Sequence, residues 1–137
     1  MLGEERVPYI EKNTIRCPIN NTFNIMGKKF TVLILRNMIY RNQTRFNKLL
    51  DSIEEINAKT LSLRLKEMEK NGLIERKVYD ESPVRIEYYM TEKGMALAPV
   101  LEQMSAFSMK YCAKDIFKDK KPRTLKEVLG HVPRQNN

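Results

Sequence analysis

Between residues 57 and 72 the chain reads NAKTLSLRLKEMEKNG, and at helical spacing this sets Lys59, Ser62, Leu63, Lys66 and Lys70 opposite Ala58, Leu61, Leu65 and Met68. Ammonium groups, one hydroxyl and one apolar side chain on a single outward face do not make or break covalent bonds. They charge-pair and hydrogen-bond with an extended anion, and the apolar member can meet a methyl group on a base edge. Asn57 stands where a helix of residues 58–71 needs its N-cap, and Asn57 and Thr60, with the amides of the first turn, offer donors to phosphate-like oxygens. Asn71-Gly72 is a fitting end for the same helix. The first turns are placed to read base edges, which makes Lys59, Ser62 and Leu63 the candidate reading groups and Lys66 and Lys70 the candidate phosphate contacts. The competing interpretation is an ordinary solvent-facing helix side, and only the neighbouring elements decide between the two.

Those neighbours have a definite order. CPINNTFNIMG fits a short helix opened by Pro18 and stopped by Gly27, and KKFTVLILRNMIY is too apolar for a surface element and too long for one strand, so a buried helix is expected. After a turn at NQT, RFNKLLDSI spaces Phe46, Leu49, Leu50 and Ile53 as an amphipathic helix does. Past the helix of residues 58–71, LIERKVY and VRIEYYM largely alternate apolar and polar residues and predict a β-hairpin over 74–90 with Pro83 in its loop. Thr91 is then a cap for a long helix reaching residue 116, with an apolar stripe from Met95 to Ile116 and a kink expected at Pro99. Helix, helix, turn, helix and hairpin is the order of a winged helix-turn-helix, mainly α with one small β-hairpin. The chain divides accordingly into an N-terminal arm (1–16), a winged-helix domain with its dimerisation helix (17–117) and a basic tail (118–137).

Charge supports an acidic partner. The 137-residue chain carries a net charge of +8, and from Thr22 to Leu50 every charged side chain is basic, Arg45 among them as a further candidate contact. A second basic cluster, Lys118, Lys120, Lys121, Arg123 and Lys126, lies in the tail. In the hairpin, Arg85 is expected to approach phosphate and Glu87 to pair across the strands with a basic neighbour.

Catalytic readings find little to stand on. The single histidine, His131, falls in the tail, and there is no glycine-rich phosphate loop, no nucleophile elbow and no paired metal-ligand spacing, so no catalytic residue, metal or cofactor is expected. Cys17 and Cys112 are far apart and lack CxxC spacing, which argues for two reduced thiols. Neither a membrane span nor a signal peptide is legible, and a cytoplasmic protein is expected.

The segments CPINNTFNIMGKKFTVLIL, TRFNKLLDSIEEINAKTLSLRLKEMEKNGLIERKVY and VRIEYYMTEKGMALAPVL together resemble the successive motifs of the HxlR family of winged-helix transcriptional regulators, relatives of the MarR group. The resemblance runs from Cys17 to about Tyr111 and implies a homodimer bound to a palindromic operator in double-stranded DNA. It also matches Cys17-Pro18 to the family's Cys-Pro pair, where some members sense electrophiles or oxidants, which makes Cys17 the redox candidate. Arg16 and the amides of a helix start beside it would favour a thiolate there, while a small side chain packed under the first helix is the plainer role. The family usually has Trp where this chain has Phe30, and the tail lies outside the shared pattern. A winged helix can also bind RNA or serve as a protein-interaction module. Neither an effector nor the operator sequence is legible.

Overall fold

The computed structural model describes residues 13–129; the arm before residue 13 and the tail after 129, with His131, lie outside the described residues. α1 (Pro18–Met26) opens on Pro18, whose missing N–H costs nothing in a first turn. α2 (Thr31–Arg41) is the helix expected from the run that taken alone passes for a strand. Only Arg36 and Arg41 of it are exposed, so its apolar residues have partners on nearly every side and the length of a strand does not limit it.

α3 (Phe46–Ser52) and α4 (Ala58–Lys70) close the core against α2. Leu35, Leu49, Leu61 and Leu65 are almost fully buried together with Ile34, Met68, Leu73 and Ile74. Each such side chain withdrawn from water contributes about 1.5–3 kcal/mol. The turn between α2 and α3 is held by a polar triad of the buried Asn37 with the half-buried Gln43 and Ser52. Asn37 Nδ2 donates to Gln43 Oε1 at 3.1 Å and to Ser52 Oγ at 2.9 Å, and Ser52 Oγ donates to Gln43 Oε1 at 2.9 Å. The triad ties α2, the turn and the end of α3 into one unit.

Gly72, at φ 76°, turns the chain from α4 into the hairpin, a left-handed position that glycine takes without steric cost. β1 (Ile74–Tyr79) and β2 (Arg85–Met90) pair antiparallel in the register Ile74 to Met90 through Tyr79 to Arg85. Ile74, Tyr88 and Met90 lie toward the core, which anchors the hairpin at its base.

One expected element is divided. In place of a single kinked helix from 92 to 116 there are α5 (Glu92–Met95), α6 (Ala98–Tyr111) and α7 (Ala113–Ile116). Pro99 has no N–H to give to Met95, so the chain tightens upstream, with the Leu97 amide donating to the Gly94 carbonyl at 3.1 Å, and Pro99 sits in the first turn of α6. α8 (Leu125–Leu129) follows in the tail, whose Arg123 amide donates to the Met109 carbonyl at 3.3 Å. Among the described residues no helix is long and apolar enough to cross a membrane, and no group of three metal-ligating side chains occurs.

Candidate nucleic-acid interface

α4 owes its position to its buried side. Leu61, Leu65 and Met68 are at most 1% exposed, which fixes the roll of the helix and leaves the opposite arc outward. On that arc Lys59, Leu63, Lys66 and Lys70 are exposed and Ser62 is half-buried. Leu63 is 51% exposed although its neighbours on either side of the helix carry the core, so its exposure follows from the outward arc and not from a lack of room inside. Lone exposed leucines are common, but one flanked on its own face by three lysines suits a surface that meets both phosphate and base methyl groups.

The start of α4 is built as expected. The Asn57 Oδ1 accepts from the Thr60 amide at 2.8 Å, a cap of the kind whose loss costs about 1 kcal/mol. That bond uses the Thr60 amide, and the Leu61 amide donates to the Asn57 carbonyl at 2.9 Å, so the first-turn amides left for an anion are those of Ala58 and Lys59. Thr60 itself is half-buried and Asn57 exposed. Arg45 is exposed at the N-cap of α3, next in sequence to the α2–α3 turn.

The hairpin departs from expectation. Arg85 was expected to face phosphate, yet its Nε donates to Glu81 Oε2 at 2.6 Å, its Nη1 to Glu87 Oε2, and its guanidinium lies 3.9 Å from the Tyr79 ring centre. The Glu81 hydrogen bond and the two carboxylates raise the Arg85 pKa above its ordinary value, which is the mark of a cation already answered within the protein. Glu87 is not the partner of its cross-strand neighbour Lys77. It accepts from Thr44 Oγ1 at 2.8 Å and Tyr89 Oη at 3.0 Å in addition to Arg85, and these bonds, Thr44 foremost, hold its pKa below the usual glutamate value. The Tyr79 and Tyr89 hydroxyls lie 3.2 Å apart, and hydrogen bonding to Tyr79, then burial and the bond to Glu87, push the Tyr89 pKa up. The exposed basic groups of the hairpin without a carboxylate partner among the described residues are therefore Arg76 and Lys77, the latter with its Nζ 5.0 Å from the Tyr89 ring centre, rather than Arg85.

A residue that sequence reasoning passed over is Arg64. It belongs to α4 but its Nε donates to the Lys29 carbonyl at 2.9 Å and its Nη1 to Glu67 Oε1 at 2.6 Å, so it faces the α1–α2 loop and not the outward arc. Its place in the helix, between the outward and buried arcs, was the only signal that it differs from the lysines.

The helical core, the outward arc of α4 and the adjoining hairpin compose a winged helix-turn-helix. The HxlR-like helix-turn-helix model matches residues 25–116. The chain belongs to the HxlR family. It is 40% identical over 88 residues to the uncharacterised HTH-type transcriptional regulator sll1512 of Synechocystis, covering 64% of each chain, and 36% identical over 100 residues to the HTH-type transcriptional regulator YodB of Bacillus subtilis, covering 73% of this chain and 88% of YodB. This HxlR-family chain thus spans a little under two-thirds of the first relative and most of the second. Among solved structures it is similar to the reduced form of YodB (36% identity, TM-score 0.62, 72% of this chain and 96% of that one) and to the oxidised form of the redox regulator HypR (32%, 0.62, 67% and 94%).

The other candidate surface of this HxlR-family chain is apolar. α1 and α6 flank a groove of about 700 Å³ lined by Ile19, Phe23, Phe30, Val32, Val100 and Met104, and the exposed Phe107 and Tyr111 continue it along α6. Cys17 is the N-cap of α1, half-buried, and is not disulfide-bonded to Cys112.

Proposed function

We propose that the protein is a homodimeric transcriptional regulator that binds double-stranded DNA in a sequence-dependent way, with α4 in the major groove and the hairpin as a wing. The observation that carries the reading is the fixed roll of α4, with three lysines, Ser62 and Leu63 held outward by a fully buried opposite side. Lys59, Ser62 and Leu63 read bases; Lys66, Lys70 and Arg45 meet phosphates, with the helix start at Asn57 and Thr60 beside them. In the wing Arg85 shapes the hairpin, and Arg76 and Lys77 supply its charge. The regulators YodB and HypR among its relatives support the regulatory role.

The second copy occupies the groove between α1 and α6. Ile19, Phe23, Val100, Met104, Phe107 and Tyr111 are each at least 38% exposed, and large apolar side chains gathered along two neighbouring helices in this way mark an interaction face. A two-fold dimer places the recognition helices about 34–36 Å apart and calls for an inverted repeat in the operator. Thiol sensing at Cys17 is a second reading, favoured by its place at the start of α1, beside that groove.

The test is competition. A duplex selected by the protein from a randomised pool is challenged with scrambled duplex DNA and with duplex RNA. Displacement by neither at equimolar concentration supports the reading. Equal displacement by RNA favours an RNA-binding module, since A-form RNA does not admit α4 to its narrow major groove. A monomer that selects no duplex favours a protein-interaction module.

A further inference from the structure

α4 is joined to the chain segment that lines the apolar groove by Arg64 and by the pair of Lys28 and Glu67. Gly27, Lys28, Lys29 and Phe30 form the link between α1 and α2, and all four line the groove. On the other side of the same link the Lys29 carbonyl accepts from Arg64 Nε at 2.9 Å, Arg64 Nη1 donates to Glu67 Oε1 at 2.6 Å, and Lys28 Nζ stands 3.9 Å from Glu67 Oε2. A planar guanidinium suits this bridge because it can give parallel N–H groups to two acceptors at once, which an ammonium on a flexible stem does not do in the same geometry.

The link is closely specified. Phe30 has φ 77°, a left-handed backbone that a bulky side chain adopts at a cost, and that conformation stands directly after the carbonyl that Arg64 holds. Gly27 has no room for a side chain, since a Cβ there would lie 2.5 Å from the Phe23 carbonyl oxygen. The link therefore has few alternative shapes, with the groove on one side of it and the Lys29 carbonyl on the other.

We propose that Arg64 is a positioning residue that sets the recognition helix from the α1–α2 link, and so couples the groove between α1 and α6 to base reading. This rests on the DNA-binding function proposed above. Arg64 makes no contact with DNA. It fixes where along its arc α4 presents Lys59, Ser62 and Leu63, so its loss lowers discrimination between sequences and leaves the number of phosphate contacts unchanged.

The experiment measures affinity of the full chain for a duplex selected by the wild-type protein and for its scrambled counterpart, across a salt series, for wild type, Arg64→Ala, Arg64→Lys, Gly27→Ala and the double variant Arg64→Ala with Gly27→Ala, with thermal unfolding of each recorded alongside. The expected result is a roughly tenfold loss of discrimination in Arg64→Ala, no recovery in Arg64→Lys, and a salt slope equal to that of wild type. Gly27→Ala, whose Cβ would press on Phe23 of α1 and so displace the link from the groove side, should give a similar loss, and the two losses should not add. A fall in salt slope of about 0.9 per subunit in Arg64→Ala makes Arg64 a phosphate contact and overturns the proposal. Wild-type discrimination in Arg64→Ala or Arg64→Lys overturns it too, as do additive losses in the double variant. Failure of the wild-type protein to select any duplex contradicts the proposed function itself and removes this inference with it.

Discussion

The Thr44 hydroxyl donates to Glu87 Oε1 at 2.8 Å, and beside it the Tyr88 amide donates to the Thr44 carbonyl at 2.8 Å. Two bonds, 43 and 44 residues apart in sequence, fasten β2 to the turn that precedes Arg45 and α3. The wing is thereby carried by the same unit that Asn37, Gln43 and Ser52 hold together, so hairpin and helices meet a ligand as one surface.

Glu87 should make the fold sensitive to acid. Its pKa is lower folded than unfolded, so its contribution to stability is complete above the ordinary glutamate value of about 4.3 and is lost as pH falls through the lower folded value. Urea unfolding of wild type and Glu87→Gln, followed from about pH 7 to about pH 3, should show the variant less stable at the upper end and the difference closing at the lower. Two curves that stay parallel would remove the carboxylate from the account. Thr44→Val should weaken stability at neutral pH in the same sense, because it leaves Glu87 without its first hydrogen bond.

Lys59→Ala and Ser62→Ala are expected to relax sequence preference, at roughly 1–3 kcal/mol for a lost base contact, whereas Lys66→Ala should weaken selected and scrambled duplexes alike and lower the salt slope by about 0.9 per subunit. Binding isotherms on both duplexes over a salt series separate these roles. Equal losses on the two sequences for Lys59→Ala would assign it to the phosphate backbone.

Much of this surface was legible in the sequence. The alternation of LIERKVY and VRIEYYM predicts β1 and β2 within a residue or so, Asn57 caps α4 as read, and Leu61, Leu65 and Met68 turn inward as their spacing requires. Local pattern serves here because the period of a helix or strand is set by near neighbours. Arg85 and Arg64 show where it stops. Whether an arginine faces solvent or a carboxylate depends on Glu81, Glu87, Lys29 and Glu67, and on how the link and the hairpin come back to meet it, none of which period or charge count encodes. The division of the 92–116 segment was half legible: Pro99 marks the place, but only the Leu97 to Gly94 bond shows that the chain tightens before it.

The apolar face of α6 should be covered in solution. Sedimentation of wild type at micromolar concentration is expected to give a dimer, and Met104→Glu, which puts a charge on the lining of the groove, is expected to give a monomer with unchanged secondary structure. A wild type that sediments only as monomer, or a Met104→Glu variant that remains a dimer, would place the interface elsewhere.

Thiol sensing at Cys17 predicts that a mild oxidant, which takes up two electrons and two protons as two thiols join, changes operator affinity in wild type and Cys112→Ser but not in Cys17→Ser. Mass-spectrometric mapping identifies the modified thiol. If oxidised wild type binds as the reduced protein does, Cys17 serves only in packing at the start of α1.

The central claim is that two copies of α4 enter successive major grooves of one duplex. Hydroxyl-radical footprinting of the wild-type protein on its selected duplex tests it most directly. The predicted result is a pair of protected half-sites forming an inverted repeat with centres about one helical turn, roughly 34–36 Å, apart, with protection lost together in both halves for Lys66→Ala at raised salt. A single protected segment without two-fold symmetry, or no protection at concentrations where the protein is dimeric, would contradict it.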